Sequence, residues 1–207
     1  ADSTVDVITL KSDIAVSSTL IVKRTVTLDI YGYMLEISGN GSVIKVADGG
    51  HLTLEDSDPK ALYMFTPDAN GLWKLVASGG TKAVRGGVIY GGTGLTDRNN
   101  NGYGGGVYVD GGGQFTMTSG NIVGCKAEGY IAFGGGVFVA KGGQFTMTGG
   151  RIVGCTAVAD EYGHAYGGGI CNDGEWQGDV GRTTLSGTAE IRHCHAKGGF
   201  LLYGGGI

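Results

Sequence analysis

The chain has 207 residues, 44 of them glycine and only 2 proline, with 15 Lys and Arg against 19 Asp and Glu. No Gly-X-Y period runs through it, which excludes collagen; at 41% hydrophobic and 16% charged residues it is too apolar for simple disorder. No basic run is long enough to follow a phosphate backbone, so nucleic acid is not an expected partner, and no apolar run is long enough for membrane insertion. What remains is β-structure with dense, regular turns, in a length that suits a single domain over 1–207.

In chain order, residues 1–40 read as opening coils. Leu20-Ile21-Val22 and Val26-Thr27-Leu28-Asp29-Ile30 alternate, without close identity to the segments downstream. Residues 41–54 begin a repeat: they align without gaps on Gly134 to Met147, 93 residues later. Residues 58–85 interrupt it. There Leu62-Tyr63-Met64-Phe65 and Leu72-Trp73-Lys74-Leu75-Val76 flank Pro67-Asp68 and Asn70-Gly71, which predicts an inserted β-hairpin leaning out from the body.

The repeat then runs regularly over 86–207. Gly104-Gly105-Gly106-Val107 recurs at 134 and, with Ile in the last place, at 167 and 204, in steps of 30, 33 and 37 residues. Gln114-Phe115-Thr116-Met117 returns at 144, and Ile122-Val123-Gly124-Cys125 at 152, with a diverged copy Ile191-Arg192-His193-Cys194. Three short alternating segments per unit of about 30 residues, separated by glycine turns, predict an all-β parallel solenoid whose coils stack ~4.8 Å apart. Alternation turns Phe115, Met117, Phe145, Met147, Leu52 and Leu54 inward, with an inner ladder of Ile89, Ile122, Ile152 and Ile191. It places Ala127, Ala157 and Ala196 in a tight inner corner. Position 123, holding Val, Val and Arg in successive copies, faces solvent.

These residues carry a resemblance. The repeat GGGVYV–GG–FTM–GG–I–G of 104–124 and 134–154 resembles right-handed parallel β-helix repeat proteins of pectate-lyase-like fold, adhesin-like proteins on the surface of Gram-positive gut bacteria. The resemblance implies a non-enzymatic extracellular module on a bacterial cell surface, an adhesin or stalk binding host or microbial glycans or surface proteins. Gly204-Gly205-Gly206-Ile207 opens another coil and would leave a solenoid edge uncapped, so the chain is expected to be a piece of a longer protein. The other activity of this fold is polysaccharide cleavage, by a glycoside hydrolase or by a lyase, and the lyases of this fold use outward carboxylates on a strand face. The strand faces here carry Thr, Val, Tyr and Phe instead.

Chemistry-bearing residues sit mostly in the stretches before each triple glycine: Leu95–Tyr103, Glu128–Phe133, Val158–Tyr166 and Lys197–Tyr203. These read as irregular loops, each ending in an aromatic residue that stacks on its equivalents. Asp160, Glu161 and His164 are the catalytic candidates, as an acid–base group. Asp97, Asn99 and Asn101 copy the start of a calcium loop without its last carboxylate, so calcium is the one cofactor this chain admits and no other is expected. Tyr63, Trp73, Tyr108, Phe138 and Trp176 are the candidates for stacking on sugar rings. Cys125, Cys155 and Cys194 fall at equivalent corners, where relatives of the resembled family place asparagine, and predict a buried, reduced thiol ladder. Cys171, aligned with Tyr108 and Phe138, reads as an exposed thiol.

Overall fold

The computed structural model describes residues 6–174 and 180–207. Every regular element among them is a β-strand, and no helix is long and apolar enough to cross a membrane. The strands form a parallel β-helix with three walls.

The first wall stacks Asp6–Thr9, Thr25–Asp29, His51–Glu55, Gln114–Met117, Gln144–Met147 and Arg182–Leu185. The second stacks Ile14–Val16, Met34–Ile37, Val88–Tyr90, Asn121–Val123, Arg151–Val153 and Glu190–Arg192. The third stacks Leu20–Val22, Ile44–Val46, Val107–Val109, Val137–Val139 and Ile170–Asn172. All neighbours within these walls pair in parallel, and the register is the one the repeats dictate: Leu52, Phe115 and Phe145 stand in one column, and Ile89, Ile122 and Ile152 in another.

A coil of this size has no core of its own; stacking supplies it. Phe115 and Phe145 lie face to face with centroids 4.8 Å apart and planes 6° apart. Met117, Met147, the isoleucine column and Val107, Val109, Val137 and Val139 complete one continuous interior.

The triple glycines answer a steric demand. Gly104, Gly134, Gly167 and Gly204 all hold φ between 53° and 63°, the left-handed region in which a Cβ is penalised. The two glycines after each of the first three are packed against neighbouring backbone, which leaves no room for a side chain.

Two features differ from the sequence expectation. The stretches before the triple glycines are not irregular loops. Lys126–Phe133 and Thr156–Tyr166 are long strands that run out from the corner between the second and third walls and return, pairing in parallel with the next coil. They form a fin. Ala127 and Ala157, expected inside the corner, pack instead with Ala132, Ala159 and Ala165 between its outgoing and returning limbs, apart from the main core. Small side chains allow the two limbs to lie close, and main-chain pairing between coils satisfies their amides.

The second difference is the insertion. It is a three-stranded antiparallel sheet, Lys82–Arg85 beside Leu62–Pro67 beside Trp73–Leu75, rather than a hairpin alone. It does not lean out. Phe65, Trp73 and Val84 pack against Met34, Val88, Val123 and Val153 on the outer face of the second wall. Val123 and Val153 point away from the solenoid interior, yet this sheet buries them; Arg192, one coil further, is exposed as expected.

Candidate functional site

Trp73 fixes the insertion in place. Its amide donates to the Gly154 carbonyl at 3.0 Å, and its ring lies directly over Gly154, where a Cβ would overlap the indole. Gly124 and Gly154 both hold φ near 60°, and the third copy puts His193 in the same left-handed conformation, φ 53°. The His193 imidazole stacks on Trp73 at 5.4 Å. At the other end of the sheet the Leu75 amide donates to the Tyr90 hydroxyl at 3.0 Å, and Lys197 Nζ donates to the Ala69 carbonyl at 2.9 Å. The insertion thus starts in the third coil and touches the sixth.

By covering part of a flat wall, the insertion leaves clefts along its borders. One, of about 320 Å³, lies between Lys82–Arg85 and the last coils, and is lined by Trp73, Val84, Val153, Arg151, Arg192 and His193. It continues into a second hollow of about 230 Å³ at Arg85, Pro59 and Asn121, and Arg151 and Glu190 line both. Glu190 accepts from Arg151 Nε at 3.2 Å and from Arg192 Nη2 at 2.8 Å, one guanidinium on each oxygen.

The opposite border holds a third cleft of about 300 Å³, lined by Asp13, Tyr31, Tyr33, Asp58, Lys60 and Tyr63. Tyr31 is held at φ 48°, unusual for an aromatic residue. Two buried carboxylates fix this turn. Asp29 accepts from the Tyr31 amide at 3.0 Å and from the Ser57 hydroxyl at 2.6 Å. Asp56 accepts from the amides of Gly32 at 2.6 Å and Gly87 at 2.7 Å. The Tyr63 hydroxyl lies 2.9 Å from Asp13 Oδ1, and burial first, then that carboxylate, push its pKa well above the ordinary phenol value.

For Asp29, burial alone would raise the pKa, but the donors from Ser57 and Tyr31 outweigh it and hold the carboxyl below its ordinary value. A depressed folded-state value means that Asp29 contributes stability above the unfolded-state pKa of ~3.9, lost as the pH falls through the folded-state value. Asp29→Asn should therefore flatten the acid limb of the stability–pH curve below about pH 4. Thermal melts over that range check this; an unchanged acid limb would refute it.

The other sequence-predicted residues are dispersed. Of the sugar-stacking candidates, Trp73 is 6% exposed and Phe138 4%, so neither offers a ring face. Phe138 points away from the solenoid interior as its alternation requires, but Tyr103, Tyr108 and Phe133 cover it, with centroids 5.0–5.9 Å away. Tyr108 is half-buried beneath Lys45; burial, then the Asp110 charge, push its hydroxyl up to about 12. Trp176 lies outside the described residues. Tyr103, Phe133, Tyr166 and Tyr203 do form a ladder, with centroids 5.0–5.1 Å apart and planes within 7°. Their faces are turned to one another, so the ladder seals the fin and presents mainly ring edges to a ligand.

Asp160 and Glu161 are exposed at the tip of the fin. His164 is half-buried on the returning limb, its ring against Tyr166 and Phe200 and its Nδ1 buried without a hydrogen-bond partner. Among the described residues neither carboxylate hydrogen-bonds to it, so the three do not assemble as an acid–base group. Asp97 is saturated by local donors: Oδ1 accepts from the amides of Asn99 and Asn101, and Oδ2 from the Asn101 side chain and the Tyr103 hydroxyl, all within 3.1 Å. Burial would raise its pKa, but these donors, Asn101 first, hold it below the ordinary value. The Asn101 side-chain oxygen accepts from the Ile131 amide. Asp97, Asn99 and Asn101 thus lie together in one turn knit by these bonds; no group of three or more His, Cys, Asp or Glu side chains suited to a metal occurs among the described residues.

The thiol ladder is present, with Cys125, Cys155 and Cys194 buried and free. Each thiol reaches back one coil: Cys125 to the Ile89 carbonyl, Cys155 to Ile122 and Cys194 to Ile152, at 3.6–3.8 Å. Burial pushes the Cys155 thiol well up. Cys171 is half-buried rather than exposed, and burial, then Asp173, raise it to about 12. In the native protein Cys171 should react slowly with a thiol reagent, and Cys125 and Cys155 not at all until unfolding. Mass spectrometry of a labelling time course reads this, and early labelling of Cys155 would contradict it. Cys155→Ala should cost about 1 kcal/mol through a small void.

The clefts escaped sequence reasoning because they depend on where the insertion lands. The one signal was the run of outward positions, in which Asn121, Arg151 and Glu190 succeed Val88, and Arg192 succeeds Val153. No family model, no curated protein and no solved structure matches this chain.

Proposed function

We propose that this chain is a non-enzymatic extracellular module of a bacterial surface protein, adhesin-like in kind, that binds host or microbial glycans or surface proteins along the flank carrying the insertion. One observation carries the reading: the insertion turns a flat outer wall into clefts lined by tyrosines on one border and guanidiniums on the other. Concave sites with a few precisely placed polar groups are where ligands bind. The repeat's likeness to surface-displayed β-helix proteins supports the setting, and a stack of coils is a stiff support for such a face.

The test is an array of glycans and matrix proteins probed with the wild-type chain, with Tyr63→Ala and Arg151→Ala, and with the fin tip 160–163 replaced by Gly and Ser. Binding that falls in the two flank variants and survives replacement of the tip supports the flank. Binding that needs the tip instead, or no binding to any glycan or protein, would defeat it, the latter in favour of a plain stalk.

A further inference from the structure

We infer that the cleft between Lys82–Arg85 and the outer face of the second wall takes an anionic saccharide, held by Arg85, Arg151 and Arg192 through its carboxylate or sulfate groups. This rests on the flank reading above and adds the class of ligand.

The chain as a whole carries a net charge of −4, yet three of its arginines line the two adjoining hollows, Arg192 the first, Arg85 the second and Arg151 both. They come from separate parts of the sequence. Arg85 ends the last strand of the insertion, Arg151 opens a strand of the fifth coil, and Arg192 closes one of the sixth. Two carboxylates share the site. Asp56 has both oxygens committed to the amides of Gly32 and Gly87. Glu190 takes a single N–H from each of Arg151 and Arg192.

A guanidinium has five N–H donors. The Glu190 contacts use one apiece, so most donors of Arg151 and Arg192 have no protein partner among the described residues. Among the described residues Arg85 makes a single long contact, 3.4 Å, to the Lys60 carbonyl. Exposed ion pairs of this kind contribute little to stability; what the Glu190 fork does is bring the two guanidiniums side by side. A guanidinium pairs with carboxylate or sulfate in a bidentate, charge-assisted manner that a lysine ammonium does not match. Trp73, Val84 and Val153 back the hollow but are buried, so its accessible lining is mainly that of the charged and polar groups.

Isothermal titration and amide chemical-shift mapping on the whole chain test this with three probes. They are a hyaluronan hexasaccharide, which has carboxylates only, its methyl-esterified neutral form, and a heparin hexasaccharide, which adds sulfates. The charged probes should shift amides of Val153, Arg192 and His193. Esterification should weaken binding roughly tenfold or more, the scale of losing one charge-assisted contact. Arg151→Gln with Arg192→Gln should do the same while leaving the melting temperature unchanged, and added salt should weaken wild-type binding. Preference for heparin over hyaluronan would identify sulfate as the group read, and the reverse carboxylate. Equal binding of the ester, or shifts elsewhere only, would overturn the inference. If neutral glycans bind the flank regardless of the arginines, or only a protein binds it, the flank reading stands and the anionic one falls; if neither saccharide nor protein binds, both fall.

Discussion

Trp73→Ala should destabilise the native state by about 3–5 kcal/mol, as truncation of a buried tryptophan does, and should unseat the insertion while the solenoid stays folded. The indole is 6% exposed and lies among Phe65, Val123, Val153 and His193. Gly124 and Gly154 have no side chain to close the gap, so the loss is a cavity rather than a repacking. The main-chain hydrogen bond to Gly154 is available to alanine as well, so the loss reads the side chain alone. Hydrogen exchange is the direct readout. Amides of 62–85 should lose protection, whereas those of the Phe115 and Phe145 columns should keep theirs. Equal protection in mutant and wild type would show that the sheet is held by something other than Trp73.

A second large effect is expected in the glycine column. In Gly135→Ala the new methyl would overlap the Thr156 carbonyl and lie 2.5 Å from the Gly168 oxygen. Both obstacles are main chain, fixed by pairing on either side, so neither gives way as a flexible side chain would. The expected cost exceeds about 3 kcal/mol, at the upper end for overpacking. Gly142→Ala is the contrast: φ is 79°, but the nearest neighbour of an added methyl is 3.8 Å away, so only the left-handed conformation is penalised, by about 1–2 kcal/mol. Chemical denaturation of the two variants separates crowding from backbone strain. Similar losses would mean that close packing is not what keeps glycine at 135.

The solenoid was legible in the sequence because its physics is periodic. Equivalent residues must stack, so Phe115 over Leu52 and under Phe145 is both a sequence alignment and a contact. Cys125, Cys155 and Cys194 could be placed in the interior for the same reason. What broke the period was read less well. The fin looked irregular because its lengths vary between coils: Lys126–Phe133 and Thr156–Tyr166 pair in register at both ends and absorb the extra residues at a shift between Gly129 and Ile131. The insertion shows a hairpin through its turn residues, but Lys82–Arg85 has no such signal and becomes a strand by pairing with Leu62–Phe65. Nothing local in Val123 or Val153 says that an outward valine will be covered. That depends on a tryptophan 50 or more positions earlier, and the clefts follow from it.

The reach of the insertion has a mechanical consequence. Coils of a solenoid normally interact only with their neighbours and peel away singly when pulled from one end. Here a segment rooted in the third coil grips the fourth and fifth through Val123 and Val153 and the sixth through His193 and Lys197. It acts as a strap across four layers. Under tension along the axis, the coils beyond the strap should hold until it lets go and then yield together, as one long step in a force–extension trace. With Trp73→Ala the same stretch should part in several short ones.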